Sequence, residues 1–226
     1  GGAGTSTVSF AGDASLGLEM TSALTYAGDI PNLGANLSIT KTGANSLTLT
    51  GNNSYSGRTT INAGMLSVAV LADGGASSNV GASTNVASNL VLNGGTLQYT
   101  SNFNSDNSAR FSTANNQQVK IDTNGQQITF ATGLNSNGGS LTKLGSGNLT
   151  LVATNTYTGA TTINAGTLIV GDGGTNGTMG FDNFCKLAGF EKYFGKDYRI
   201  VTVDWPGHGY SSQDIFPASA TRYAEL

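Results

Sequence analysis

Residues 143–170 read KLGSGNLTLVATNTYTGATTINAGTLIV, and residues 41–68 read KTGANSLTLTGNNSYSGRTTINAGMLSV. The two stretches align without a gap at an offset of 102, with 16 identities in 28 positions. Leu47-Thr48-Leu49 and Leu149-Thr150-Leu151 alternate apolar and polar, as a strand with one buried face does. Asn53-Ser54-Tyr55-Ser56-Gly57 and Asn155-Thr156-Tyr157-Thr158-Gly159 have turn chemistry: Asn bonds its own backbone and Gly tolerates positive φ. Thr59-Thr60-Ile61 and Thr161-Thr162-Ile163 make the next strand, and Asn-Ala-Gly turns the chain at 62–64 and 164–166. Leu66-Ser67-Val68 and Leu168-Ile169-Val170 close the motif. Three short strands joined by tight turns suit one coil of a β-helix, its rungs stacked ~4.8 Å apart. Such a coil buries its apolar row only against its neighbours.

The composition agrees. Of 226 residues, 33 are Gly, 29 Thr and 23 Asn, and only 10% are charged, well below the roughly 25% of ordinary soluble chains. Thr favours strands, whereas Gly and Asn reverse them. The formal charge of −3 offers no electrostatic footprint for nucleic acid. No apolar run approaches the ~20 residues of a membrane-spanning helix, so no membrane insertion of this segment is expected. Gly1 in place of Met points to processing or trimming.

Between the repeats, Asn89–Tyr99 echoes the end of the motif. The string Leu141-Thr142-Lys143-Leu144-Gly145-Ser146-Gly147-Asn148-Leu149-Thr150-Leu151, with the Asn-Thr-Tyr-Thr-Gly and Thr-Thr-Ile-Asn-Ala-Gly-Thr-Leu that follow, resembles the passenger-associated repeat of bacterial autotransporters. The resemblance covers roughly residues 30–172. It implies an all-β, right-handed parallel β-helix (a solenoid), secreted or held at the outer-membrane exterior. It also implies export through a translocator barrel in the parent protein, and a structural or display role, as stalk or adhesin, with host or surface ligands. One Cys, which permits no internal disulfide, agrees with that export route. A β-sandwich or another all-β fold is the competing architecture for Gly- and Thr-rich alternation.

A boundary follows. Residues 1–178 hold 12 charged residues and 8 aromatics; residues 179–226 hold 11 and 10, and also Cys185, Trp205 and His208, each the single residue of its type. Gly171–Gly177 has the composition of a linker. Two domains are expected, 1–178 and 179–226. In the second, Asp182 is placed to cap a helix over about 182–194, with Phe184, Leu187 and Ala188 on one face. Arg199–Val203 reads as a β-branched strand of a parallel sheet. It leads into Asp204-Trp205-Pro206-Gly207-His208-Gly209-Tyr210-Ser211, which resembles a loop signature of α/β-hydrolases. That resemblance implies a short α/β segment, the front part of a serine hydrolase. No Gly-x-Ser-x-Gly elbow occurs in the chain, so a complete nucleophile–base–acid set is missing.

No catalytic, cofactor-binding or metal-binding residue is expected, and no cofactor. His208 reads as a loop residue and Cys185 as a small buried hydrophobe. Asp172 lacks the full Gly-Gly-x-Gly-x-Asp context of a calcium nonapeptide. Lys41 and Lys143, at equivalent repeat positions, read as solvated rung edges. Tyr55 and Tyr157 read as rings packed over the turn rather than a glycan platform. The paired Thr residues are too irregular for an ice-binding ladder. Two catalytic readings stand beside the structural one: an esterase- or lipase-like serine hydrolase completed outside this chain, and a β-helix carbohydrate enzyme. The latter needs clustered carboxylates, and seven acidic residues lie scattered over residues 1–178.

Overall fold

The computed structural model describes residues 12–33, 36–72, 74–101, 106–171 and 200–203. Among them every regular element is a β-strand, except a 3-10 turn at Ser108–Arg110. The strands are β1 (Ala14–Glu19), β2 (Leu24–Tyr26), β3 (Leu37–Thr42), β4 (Ser46–Leu49), β5 (Thr59–Ile61), β6 (Met65–Val68) and β7 (Leu90–Tyr99). They continue with β8 (Gln118–Asp122), β9 (Gln127–Phe130), β10 (Ser140–Leu144), β11 (Asn148–Leu151), β12 (Thr161–Ile163), β13 (Thr167–Gly171) and β14 (Ile200–Val203). All pairings between these strands are parallel. The fold is a parallel β-solenoid, as the alternation and the repeat anticipate.

The period-2 alternation sets the interior. Leu37, Ile39 and Lys41 of β3 point inward, as do Leu47 and Leu49 of β4, Leu141 and Lys143 of β10, and Leu149 and Leu151 of β11. Stacked rungs place like on like, so that Leu47 lies beside Leu66 and Leu149 between Ile128 and Leu168. The resulting core is continuous from Leu47 through Leu97 and Ile121 to Val170. No rung could bury its row alone; each covers the next.

The structure corrects the expected coil. The 28-residue motif does not describe one turn, because its first and last strands pair with each other: β4 stacks directly on β6. Successive rungs lie about 20 residues apart (Leu47 to Leu66, Leu149 to Leu168), so a motif of 28 overlaps itself.

A second feature is invisible in the alignment. β7 spans a corner: Leu90–Leu92 extend the sheet of β1, β3 and β5, while Thr96–Tyr99 extend the sheet of β2, β4 and β6. The next turn lays Phe111 on Leu90. β8 begins only seven residues later and stacks on the second half of β7, with a register shift between Asn93 and Thr96. β10 and β12 follow β8, whereas β9, β11, β13 and β14 form a separate sheet. β10, which corresponds to β3 at the offset of 102, therefore occupies the face that carried β4 and β6 of the first repeat. Two side-chain hydrogen bonds cross this junction: Ser67 Oγ donates to Gln98 Oε1 (2.7 Å) and Gln98 Nε2 to Asp122 Oδ2 (2.8 Å).

Ile200–Val203 is a strand, as its β-branched composition suggests, and its sheet is that of the solenoid: it pairs in parallel with Leu168–Gly171. The expected helix near 182–194, the Asp204–Ser211 loop, Asp172, Cys185, Trp205 and His208 lie outside the described residues.

Leu97 is fully buried between Leu66 and Ile121, where the two blocks meet. Leu97→Ala is expected to cost roughly 2–5 kcal/mol, the range of a buried Leu truncation. Urea unfolding checks this, and the midpoint should fall in one transition if the core is continuous.

Candidate functional site

The chemistry gathered by the repeat lies inside the corners. Lys41 ends the inward row of β3, with Leu18 and Ile61 as register neighbours; Lys143 sits likewise between Ile121 and Ile163. Both side chains are 0% exposed. Lys41 Nζ donates to the carbonyls of Thr42 (2.8 Å), Gly43 (2.9 Å) and Ala63 (3.0 Å). Lys143 Nζ donates to those of Leu144 (2.8 Å), Gly145 (2.6 Å) and Ala165 (3.1 Å). An ammonium has three donors and no acceptor, and here all three are spent on turn carbonyls, of which Thr42 and Leu144 also accept a backbone N–H from Met20 and Thr123. Each lysine therefore pins its own turn to the turn of the next rung.

This geometry overturns the reading of the two lysines as solvated edges. Alternation in Leu37-Ser38-Ile39-Thr40-Lys41 and Leu141-Thr142-Lys143 already places them inward; their charge argued otherwise. Burial lowers the ammonium pKa of both, that of Lys143 to about 8, where the nearby Asp122 carboxylate pulls it back up. Lys143 carries the positive charge at neutral pH.

The Asn-Ala-Gly turn is the other half of the device. Gly64 and Gly166 have φ of +63° and +71°, and a Cβ there would lie 2.7 Å from Lys41 Nζ and 2.8 Å from Lys143 Nζ. The glycine gives both the left-handed turn and the room for the ammonium. Thr123 Oγ1, just past β8, shares two of the Lys143 acceptors, lying 3.0–3.4 Å from the carbonyls of Leu144, Gly145 and Ser146.

The Asn-x-Tyr-x-Gly turns work across rungs. Asn53 Oδ1 accepts from the Ile30 amide (2.9 Å) and its Nδ2 donates to the Asn79 carbonyl (2.7 Å). Asn79 repeats the pattern: Oδ1 accepts from Ala69 and Val70, and Nδ2 donates to Gly51. Asn155 Oδ1 accepts from Leu134. The expected bond of Asn to its own local backbone holds for Asn155, whose Nδ2 donates to the Ala153 carbonyl, but Asn53 serves the neighbouring rungs. Tyr55 and Tyr157 pack over the turn, as expected from the sequence, with Oη 2.7 Å and 2.6 Å from Thr59 and Thr161 Oγ1. Burial pushes both phenols up to about 12, against the pull of their Thr partners.

Arg110 escaped sequence reasoning. Although 0% exposed, it reaches from the turn before Phe111 to the 69–89 excursion, donating to the Val80 carbonyl (3.0 Å), Ser83 Oγ (2.7 Å) and the Ala72 carbonyl (3.4 Å). Burial pulls its guanidinium below the ordinary arginine pKa. It stands outside both repeats, so nothing in the motif announces it. A cavity of about 10 Å³ beside Phe111, Gln117, Leu134, Ser136 and Tyr157 holds about one water and no organic substrate. Among the described residues no group of three or more His, Cys, Asp or Glu is placed to hold a metal ion.

Comparison with known proteins falls on these corners. A family model described as Passenger-associated-transport-repeat matches residues 39–68 and 141–170, each match taking in the lysine, the Tyr–Thr pair and the Asn-Ala-Gly turn. Residues 39–68 and 141–170 are thus similar to that repeat. Over 126 residues it is 43% identical to the Adhesin BmaC autotransporter of Brucella suis biovar 1 (strain 1330). That stretch covers 55% of this chain and 4% of the relative. No solved structure matches at a significant level. The family match ends at residue 170, and neither comparison supports the hydrolase resemblance of residues 179–226.

Lys143→Met keeps the stem and removes a donor from three carbonyls, of which Leu144 and Gly145 stay within reach of Thr123; a loss of about 1–3 kcal/mol is expected. Arg58→Met, at an exposed position of the first repeat, should cost under about 0.5 kcal/mol. Urea midpoints of the two variants check the contrast. Titration gives a second readout. The folded chain releases the Lys143 proton near pH 8, whereas the unfolded chain holds it to about 10.4. In that window the unfolded state binds more protons, so stability rises with pH. The rise should be smaller in Lys143→Met, as unfolding at pH 7.5, 9 and 10 would show.

Proposed function

We propose that the chain is a non-catalytic segment of a cell-surface autotransporter passenger, a rigid stalk that holds and displays adhesive surfaces. The observation that carries the reading is where the repeat spends its polar residues. Lys41, Lys143, Asn53, Tyr55 and Thr59 make hydrogen bonds within the coil, so the matched motif builds length and stiffness and presents no reacting group. The named adhesin relative supports the same role. Export through an outer-membrane barrel in the parent protein, and ligands on host or other surfaces, follow from the same reading. The chain spans a small fraction of that relative's length, which suits a module repeated along a long passenger.

The test places residues 1–226 in frame ahead of a translocator barrel in a Gram-negative host. Intact cells should expose the chain to added protease and antibody, and purified chain should leave p-nitrophenyl esters at the buffer rate. Retention inside the cells would overturn the display reading; ester turnover that tracks the purified chain would overturn the non-catalytic one.

A further inference from the structure

The end of a parallel coil is an open edge, a row of backbone donors and acceptors that template another strand. At the C-terminal end β13 would be that edge, yet β14 lies on it: Leu168, Ile169, Val170 and Gly171 pair with Ile200, Val201, Thr202 and Val203. The partner comes from the part of the chain whose composition breaks with the repeats, and it lies beyond residue 170, where the family match stops. We infer that β13 is a strand-accepting edge, whose fitting partner is a short, extended, β-branched segment added in parallel, and that Ile200–Val203 fills it in this chain.

Three observations converge. The register is continuous: Ile128, Leu149, Leu168 and Ile200 occupy one row of positions, and Phe130, Leu151, Val170 and Thr202 the next but one. Both rows are buried in three successive rungs, and at the fourth position the first receives Ile200 and the second Thr202. The step is one the coil already tolerates, since 31 residues separate Thr59 from its partner Leu90 and 32 separate Leu168 from Ile200. Chemistry also agrees. Ile-Val-Thr-Val is uncharged and β-branched throughout, whereas its flanks Arg199 and Asp204 are charged and mark the limits of what an edge strand accepts. Recognition of this kind draws affinity from main-chain hydrogen bonds and selects by alternate side chains. It is independent of whether the parent protein is an adhesin.

Hydrogen exchange with mass spectrometry on the full chain tests it. In the unaltered chain, amides of 167–171 should be protected comparably to those of 148–151. Val201→Pro removes the donor and the extended pairing, and Val201→Asp charges the strand; Val201→Thr retains β character. The first two should speed exchange at 167–171 by about tenfold or more while leaving 148–151 unchanged, and the third should match the parent. A fluorescent peptide of residues 198–204 should then bind Val201→Pro and not the parent chain, whose edge is filled. Equal exchange at 167–171 in all four proteins, or a peptide that binds neither or both alike, would overturn the inference.

Discussion

Everything in this molecule depends on backbone groups that a single turn leaves unsatisfied. A strand of a parallel coil cannot complete its ladder within its own turn, and the corners between strands leave carbonyls with no ladder partner at all. A buried carbonyl without a donor costs about 1–3 kcal/mol, and every coil creates several. The repeat answers with one ammonium per motif. Lys41 and Lys143 each collect carbonyls from their own turn and from the next, so the charge acts as a vertical tie between rungs. Burying a cation is costly unless it is fully hydrogen-bonded, and three aligned carbonyls meet that condition.

The other recurring residues serve the same constraint at the remaining corners. Asn53 and Asn79 pass hydrogen bonds from rung to rung, and Tyr55 is anchored by Thr59 while its ring fills the interior. Gly57 and Gly159 turn out to be needed for space: a Cβ at Gly159 would lie 2.5 Å from the Gly139 carbonyl, and Gly57 meets Leu37 in the same way. The motif is thus a recipe for stacking, which explains how its residues recur in chemistry while the exposed positions between them change.

The face advance at β7–β8 gives the coil a changing outline. The first repeat places its strands on two faces and its long 69–89 excursion between them; the second places its strands one face further round. Arg110 sits at this junction and ties the excursion to the turn before Phe111.

By itself the sequence determined the class of fold and the location of most strands. Period-2 alternation and a gapless internal repeat leave few other ways to bury Leu47, Leu49, Leu149 and Leu151. It also held, unread, the inward phase of Lys41 and Lys143, visible in the alternation but masked by the expectation that charge seeks water. Tertiary structure alone decided the rest. That β4 pairs with β6 depends on the length of a coil, which a motif does not state. That the second repeat starts on another face depends on how few residues separate Phe111 from β8 in space as well as in sequence. Arg110 acquires its partners, 27 to 38 residues away, only when the coil closes. The strand at 200–203 was legible as a strand, but the edge it joins was not: a β-branched segment specifies extended backbone, and only the packed coil supplies the row of unpaired groups that captures it.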